Sequence, residues 1–278
     1  MSLNKPIWKL RSWIDESKLD WHTLSYNPNG IELLERNRDK INWFNVSKNS
    51  SAVHLIKNEG TNISWLNISL NTSPEAIKFL SENPDKIVWS WLSANPSGIS
   101  LLLKNQDKID WSNLCMNPEP EAIALLKENI DKIDWKWLSI NPCAVSLLLE
   151  NEDKINWHNL SLNPSPEAIS LLLQNKNKIY WHNLSRNPSA ISILLENKDK
   201  INWSNLSENP EAISILEENK DKIDWYYLSR NPSIFQLDYE TMKKNNKEME
   251  IELLQEVLKP SRVFKNGGIN YLKELFHL

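Results

Sequence analysis

The 278-residue chain carries 14 Trp and 14 Pro against 5 Gly, and its net charge is −4. That balance argues against a partner defined by negative charge, whether a nucleic-acid backbone or an anionic membrane surface, and the apolar runs are too short to span a bilayer. Two cysteines, Cys115 and Cys143, make no disulfide framework, and residues 1–20 lack the apolar core of a signal peptide, so a reduced, cytoplasmic setting is expected.

Residues 1–20 read as an N-terminal capping segment, with Trp8, Trp13 and Ile14 expected to cover the open face of the first repeat. From residue 21 to 232 the sequence repeats. Ten tryptophans fall in one register: Trp21, Trp43, Trp65, Trp89, Trp111, Trp135, Trp157, Trp181, Trp203 and Trp225, spaced by 22 or 24 residues. The unit reads D-K-I-D/N-W-x-x-L-S-x-N-P-x-A-I-x-L-L-x-x-N. The longer steps share one cause. Asn71–Thr72–Ser73–Pro74, Asn117–Pro118–Glu119–Pro120 and Asn163–Pro164–Ser165–Pro166 each insert two residues before the Ala-Ile pair, so the insertion sits in a loop.

Each unit carries two helix signals. In the copy at Ile201–Ser207, Asn202 is a good N-cap, and Ile201 with Leu206 has the spacing of a hydrophobic staple. A second helix is expected from Asn209–Pro210, where Asn caps and Pro suits the first helical position. Ala212, Ile213, Ile215 and Leu216 follow at helical spacing, and Asn219 is read as a left-handed helix stop. A lone unit cannot bury enough surface to fold, so the units must stack on a shared core. The fold expected is an all-α solenoid of about ten two-helix repeats with N- and C-terminal caps. The rival is a leucine-rich-repeat-like solenoid, whose period also admits 22 residues; it needs an L-x-L strand before the fixed Asn, where this chain has Leu206–Ser207–Glu208. Residues 233–278 break the pattern and read as a C-terminal helical cap. Its pieces are Ile234–Tyr239, Met249–Leu258 and Tyr271–Leu278, with Lys243–Lys247 as a solvated turn.

Catalysis needs unlike groups converging on one point, whereas a repeat distributes like groups along a line. No catalytic residue, cofactor or metal is therefore expected. His22, His158 and His182 share the slot after the ladder Trp, too far apart on adjacent units for one ion. The ladder tryptophans are assigned to the structural core. Candidate recognition residues lie beside them. The slot two residues after each Trp holds Trp91, Trp137 and Tyr227 where six other units have Asn. The slot before the Asn-Pro pair runs Tyr26, Lys48, Leu70, Ala94, Met116, Ile140, Leu162, Arg186, Glu208 and Arg230, with Leu70 to Leu162 apolar in five consecutive units. This run is either a protein-binding strip or a stripe half-buried between units. The function expected is a non-catalytic scaffold for protein–protein interaction, its partner unspecified. A structural virion component and a single-stranded nucleic-acid binder are the alternatives, the last disfavoured by the acidic repeats.

The unit D-K-I-D/N-W-x-x-L-S-x-N-P-x-A-I-x-L-L resembles tryptophan-rich short repeats abundant in proteins of the large nucleocytoplasmic DNA viruses of protists, the mimivirus-like giant viruses. The opening Trp13–Trp21 looks like the lead-in to those arrays, and Glu252–Leu254 through Lys259–Val263 is similar to their tail. The chain departs from the pattern at Asn49–Ser50–Ser51, Asn71–Thr72 and Glu59–Gly60. The resemblance implies a viral protein made in host cytoplasm and brings no catalytic residues to carry over.

Overall fold

The computed structural model describes residues 6–57 and 63–247. It divides into two compact units. One is residues 11–235; the other joins, among the described residues, 6–10 to 236–247.

The 11–235 unit is an all-α solenoid. Each repeat opens with a short α-helix that starts at the ladder Trp, such as Trp157–Leu160 or Trp203–Glu208. Asn202 caps the latter, accepting from the Asn205 amide, as the sequence suggested. The chain then turns at the fixed Asn, whose Oδ1 accepts from the amide two residues on, as Asn209 does from Glu211. In the short repeats a 3-10 turn (Pro210–Ala212) leads into a second helix (Ile213–Glu218). The two-residue insertions convert that pair into one nine-residue helix: Pro74–Glu82, Pro120–Glu128 and Pro166–Gln174. A last 3-10 turn, such as Lys220–Lys222, returns the chain to the next Trp. The strands a leucine-rich repeat would need are absent among the described repeats.

Asn219 does not take the left-handed conformation expected of it; its φ and ψ are −128° and 53°. It ends the helix by its side chain instead, whose Nδ2 donates to the Ile215 carbonyl at 2.8 Å. This satisfies a carbonyl that a helix terminus otherwise leaves without a partner. Asn83, Asn129 and Asn175 do the same.

The core is leucine rather than tryptophan. The residue three after each Trp (Leu24, Val46, Ile68, Leu92, Leu114, Leu138, Leu160, Leu184, Leu206, Leu228) is sealed from solvent, as are Leu80, Leu126 and Leu172 of the second helices. The ten ladder tryptophans, Trp21 to Trp225, assigned above to the core, are half-buried. They sit at the first helical position, on the rim of the stack. In seven repeats the lysine ending the return turn lies over the indole, as Lys132 does over Trp111 and Lys178 over Trp157 at 4.2 Å from the ring centroid.

The repeats are tied by one repeated bond pattern. Asn163 is buried, and its Nδ2 donates to the carbonyls of Ser139 and Asn141 one repeat back, at 3.1 and 2.9 Å. Ser161 Oγ donates to Trp157 O and accepts from the amide of Tyr180 in the next repeat. All ten fixed asparagines make the same pair of bonds. Asn27 of the first repeat makes them to Ser229 and Asn231 of the tenth. The Asp20 amide donates to Ser229 Oγ, and Thr23 Oγ1 to the Tyr226 carbonyl. The array therefore closes on itself, and every repeat has two neighbours.

Closure corrects the role expected of the leading segment. The first repeat's outer face is covered by the tenth repeat. That tenth repeat stops after Pro232–Ile234, without a second helix. Residues 11–20 supply the missing end. The Arg11 amide donates to Ile234 O, Arg11 Nε to Ser233 O, and Glu16–Lys18 form the return turn with Lys18 over Trp225.

Trp8–Leu10 and Phe235–Leu237 form a two-stranded sheet, which apart from Phe235 belongs to the other unit. Lys9 Nζ donates to Asp238 at 2.9 Å, and this holds the Asp238 carboxyl down at about 2. Residues 239–247 are helical and mostly exposed, where the sequence suggested a turn at Lys243–Lys247. The remaining cap elements, Met249–Leu258 and Tyr271–Leu278, lie outside the described residues, as do Glu59–Gly60 and the tail from Glu252 to Val263.

Candidate functional site

Residues one and five after the ladder Trp are four apart, the first in the opening helix and the second at or just past its end, where the chain is still turning helically, so they share a side of that turn. The Leu at position three after Trp points into the core, so that shared face turns away from it. In an open array these faces would form a strip. In a closed ring they meet.

They meet at a cavity of about 610 Å³ lined by residues of seven repeats on both sides of the seam. The slot before the fixed Asn contributes Tyr26, Lys48 and Leu70 from repeats one to three, and Arg186, Glu208 and Arg230 from repeats eight to ten. The slot after the Trp contributes Phe44 and Leu66, and Trp91 enters from repeat four. One arc of the wall is apolar (Phe44, Leu66, Leu70, Trp91) and the other is charged.

The charges are not balanced. Glu208 is committed to Arg186 by a 2.6 Å ion pair. Arg230 is held by its surroundings: its guanidinium stacks 5.5 Å from the Tyr26 ring centroid and 5.2 Å from that of Tyr226, and Nη2 donates to the Tyr226 hydroxyl. Its Nε is buried without an acceptor, and Glu208 Oε2 is buried without a donor. Lys48 makes no ion pair among the described residues. Lys48 is exposed by surface area, but crowding of its ammonium by neighbouring atoms, then Arg230 and Arg186, push it below the ordinary lysine range, with Glu208 in partial opposition. Lack of water also lifts the Tyr26 phenol above its ordinary value.

Of the eight recognition residues nominated from the sequence, Leu70 and Trp91 border this cavity. Ala94, Met116, Ile140 and Leu162 continue the same slot around the ring, half-buried and outside the cavity. Trp137 and Tyr227 are half-buried and do not line the cavity. In most other repeats the position of Trp91, Trp137 and Tyr227 is an inter-repeat strut. Asn159 Nδ2 donates to the Lys136 carbonyl at 2.7 Å, and Asn205 Nδ2 to that of His182 at 2.6 Å. The charged members of the slot were visible in sequence but stood at the two ends of the array, where only closure brings them together.

Other reactive groups stay apart. Among the described residues no three His, Cys, Asp or Glu side chains gather as a metal site. His22 and His158 are each bridged to an asparagine of the next repeat, Asn45 and Asn183. Cys115 is buried, its thiol donates to the Trp111 carbonyl, and burial pushes it up to about 11, away from nucleophilic chemistry. No described helix is long and apolar enough to cross a membrane.

Comparison with protein-family models, with curated proteins and with solved structures gives no match for this chain.

Proposed function

We propose that this protein is a non-catalytic binding ring that takes a small ligand into its lumen. The observation that carries this reading is the 610 Å³ cavity where one variable slot from six repeats converges across the ring seam. Its volume falls within the roughly 300–1,000 Å³ usual for small-molecule sites and is far too small for a folded partner. The slot before the fixed Asn varies in residue type from repeat to repeat, and six of its members line this cavity.

The uncharged fluorophore N-phenyl-1-naphthylamine tests this reading. It should brighten on binding with a stoichiometry of one per chain. Ser50→Trp, which places an indole on the cavity wall, should abolish the signal while leaving the thermal midpoint unchanged. Absence of binding both by this dye and by an anionic dye of similar shape, or binding indifferent to Ser50→Trp, would count against a lumenal site.

A protein-interaction scaffold is a second reading, favoured by a different observation. Leu149, Leu173 and Leu195 occupy one position on the second helices of three consecutive repeats, and all three are exposed. On this reading the partner docks outside the ring rather than on the slot nominated from sequence. Asp substitution of all three should abolish partner capture without altering dye uptake.

A further inference from the structure

We propose that the lumenal ligand is a small organic anion with an apolar body, its anionic group held between Lys48 and Arg230 and its body laid on the Phe44, Leu66, Leu70 and Trp91 arc. This inference rests on the lumenal reading above and names the chemistry of its occupant.

Three cations and one carboxylate line the cavity, and the carboxylate is already paired with Arg186. Lys48 and Arg230 line the same cavity from repeats two and ten, on either side of the seam, and neither has an ion-pair partner among the described residues. Cations so placed repel, and the cost rises as water is thinned. An anion between them would relieve the repulsion. Arg230 is also preorganised to receive an anion, because Tyr26 and Tyr226 hold its plane and little rotamer freedom remains to be lost on binding.

The opposite arc sets the rest of the ligand. Phe44, Leu66, Leu70 and Trp91 line the cavity from repeats two to four, together with the smaller polar side chains of Ser50, Asn67 and Thr72. An inorganic anion would use the cations and leave this wall wet. A neutral hydrocarbon would use the wall and leave the cations repelling. A molecule with both parts satisfies both arcs.

The test pairs two dyes of similar apolar body. 1-Anilinonaphthalene-8-sulfonate carries an anion and N-phenyl-1-naphthylamine does not. The full-length protein should bind the sulfonate at least about tenfold more tightly, the usual scale for one charge-assisted contact in a sheltered site. Decanoate and decyl phosphate should both compete, and inorganic phosphate alone should not. Lys48→Met should reduce sulfonate affinity by about tenfold and leave the neutral dye unaffected; Lys48→Arg should restore it. Arg230→Met should act alike, and Lys48→Met, which removes no hydrogen bond seen in the structure, keeps the test sound if that variant misfolds. Equal affinity for the two dyes, or indifference to Lys48→Met, would overturn the anion assignment while the lumenal reading stands. Binding of neither dye would overturn both. Competition by a peptide ending in an apolar residue at far lower concentration than decanoate would overturn the small-molecule assignment.

Discussion

The asparagine at the centre of each repeat does three jobs with one side chain. In Asn163, Oδ1 accepts from the Ser165 amide, and Nδ2 splits its two hydrogens between carbonyls of the preceding repeat. Replacing it with Ala strands three buried polar groups, each costing about 1 kcal/mol or more. We expect Asn163→Ala to lose about 3 kcal/mol in urea unfolding, and a loss under ~1 kcal/mol would show the ladder to be incidental. Pro164→Thr should be nearly neutral, because Thr72 holds the equivalent place in repeat three. The sequence carried this distinction. Asn is present in all ten repeats while Pro is missing at Ser50 and Thr72. Reading Asn as a cap recovered only the Oδ1 bond, since a cap is a local device and the two donors act between repeats. Lys48 makes a second prediction at this scale. Its folded-state pKa lies below its ordinary value of 10.5, so between those two values the folded chain holds fewer protons than the unfolded one. Stability should therefore rise with pH through that window. Lys48→Met should be more stable than the parent at neutral pH, with the difference narrowing as pH approaches 10.5, as read from urea midpoints.

At the scale of elements, the two-helix unit was legible because its signals are local: cap, staple, Asn-Pro turn and the tolerated two-residue insertion. The half-burial of the tryptophans was not, because apolar size alone does not say on which side of a four-residue helix the next repeat stacks. Nor was the composite tenth repeat, although its parts were on view. The tenth copy stops after Ile234, and the chain opens with the end of a copy, Glu16 to Trp21. The ring is thus clasped by a segment from the far end of its own array. Leu19 anchors that clasp and is buried, in the position Ile155 holds in the middle of the ring. Leu19→Asp should release residues 11–20 and leave the rest folded, because the segment is bound through few groups. Ile155→Asp should instead weaken the whole array. Limited trypsin digestion separates the two: rapid cleavage at Arg11 and Lys18 with a stable remainder is expected for Leu19→Asp. Wholesale digestion of that variant would show that closure and folding are one event.

Across the whole array, stability in a solenoid is the sum of repeat terms and nearest-neighbour terms. An open array has two terminal repeats with one neighbour each, and these fray first. Closure gives all ten repeats two neighbours, and the seam bonds from Asn27 to Ser229 and Asn231, at 3.2 and 2.9 Å, match those inside the array. Whether ten repeats close depends on a small rotation per repeat summed around the circle, a quantity no single repeat displays. That is why the lumenal site, built from residues some 140 to 200 positions apart such as Lys48, Arg186 and Arg230, was visible only as a list of variable slots. The same sum makes closure measurable. The amides joining the first helices of repeats one and ten should exchange with free energies within about 1 kcal/mol of those in repeats five and six, since their neighbour terms are alike. A gradient of protection falling steadily from the middle of the array toward both ends would mean an open solenoid in solution, and the cavity would open with it. Adding the anionic dye should raise protection first in repeats eight to ten and one to three, because those line the cavity, and should do so on both sides of the seam at once.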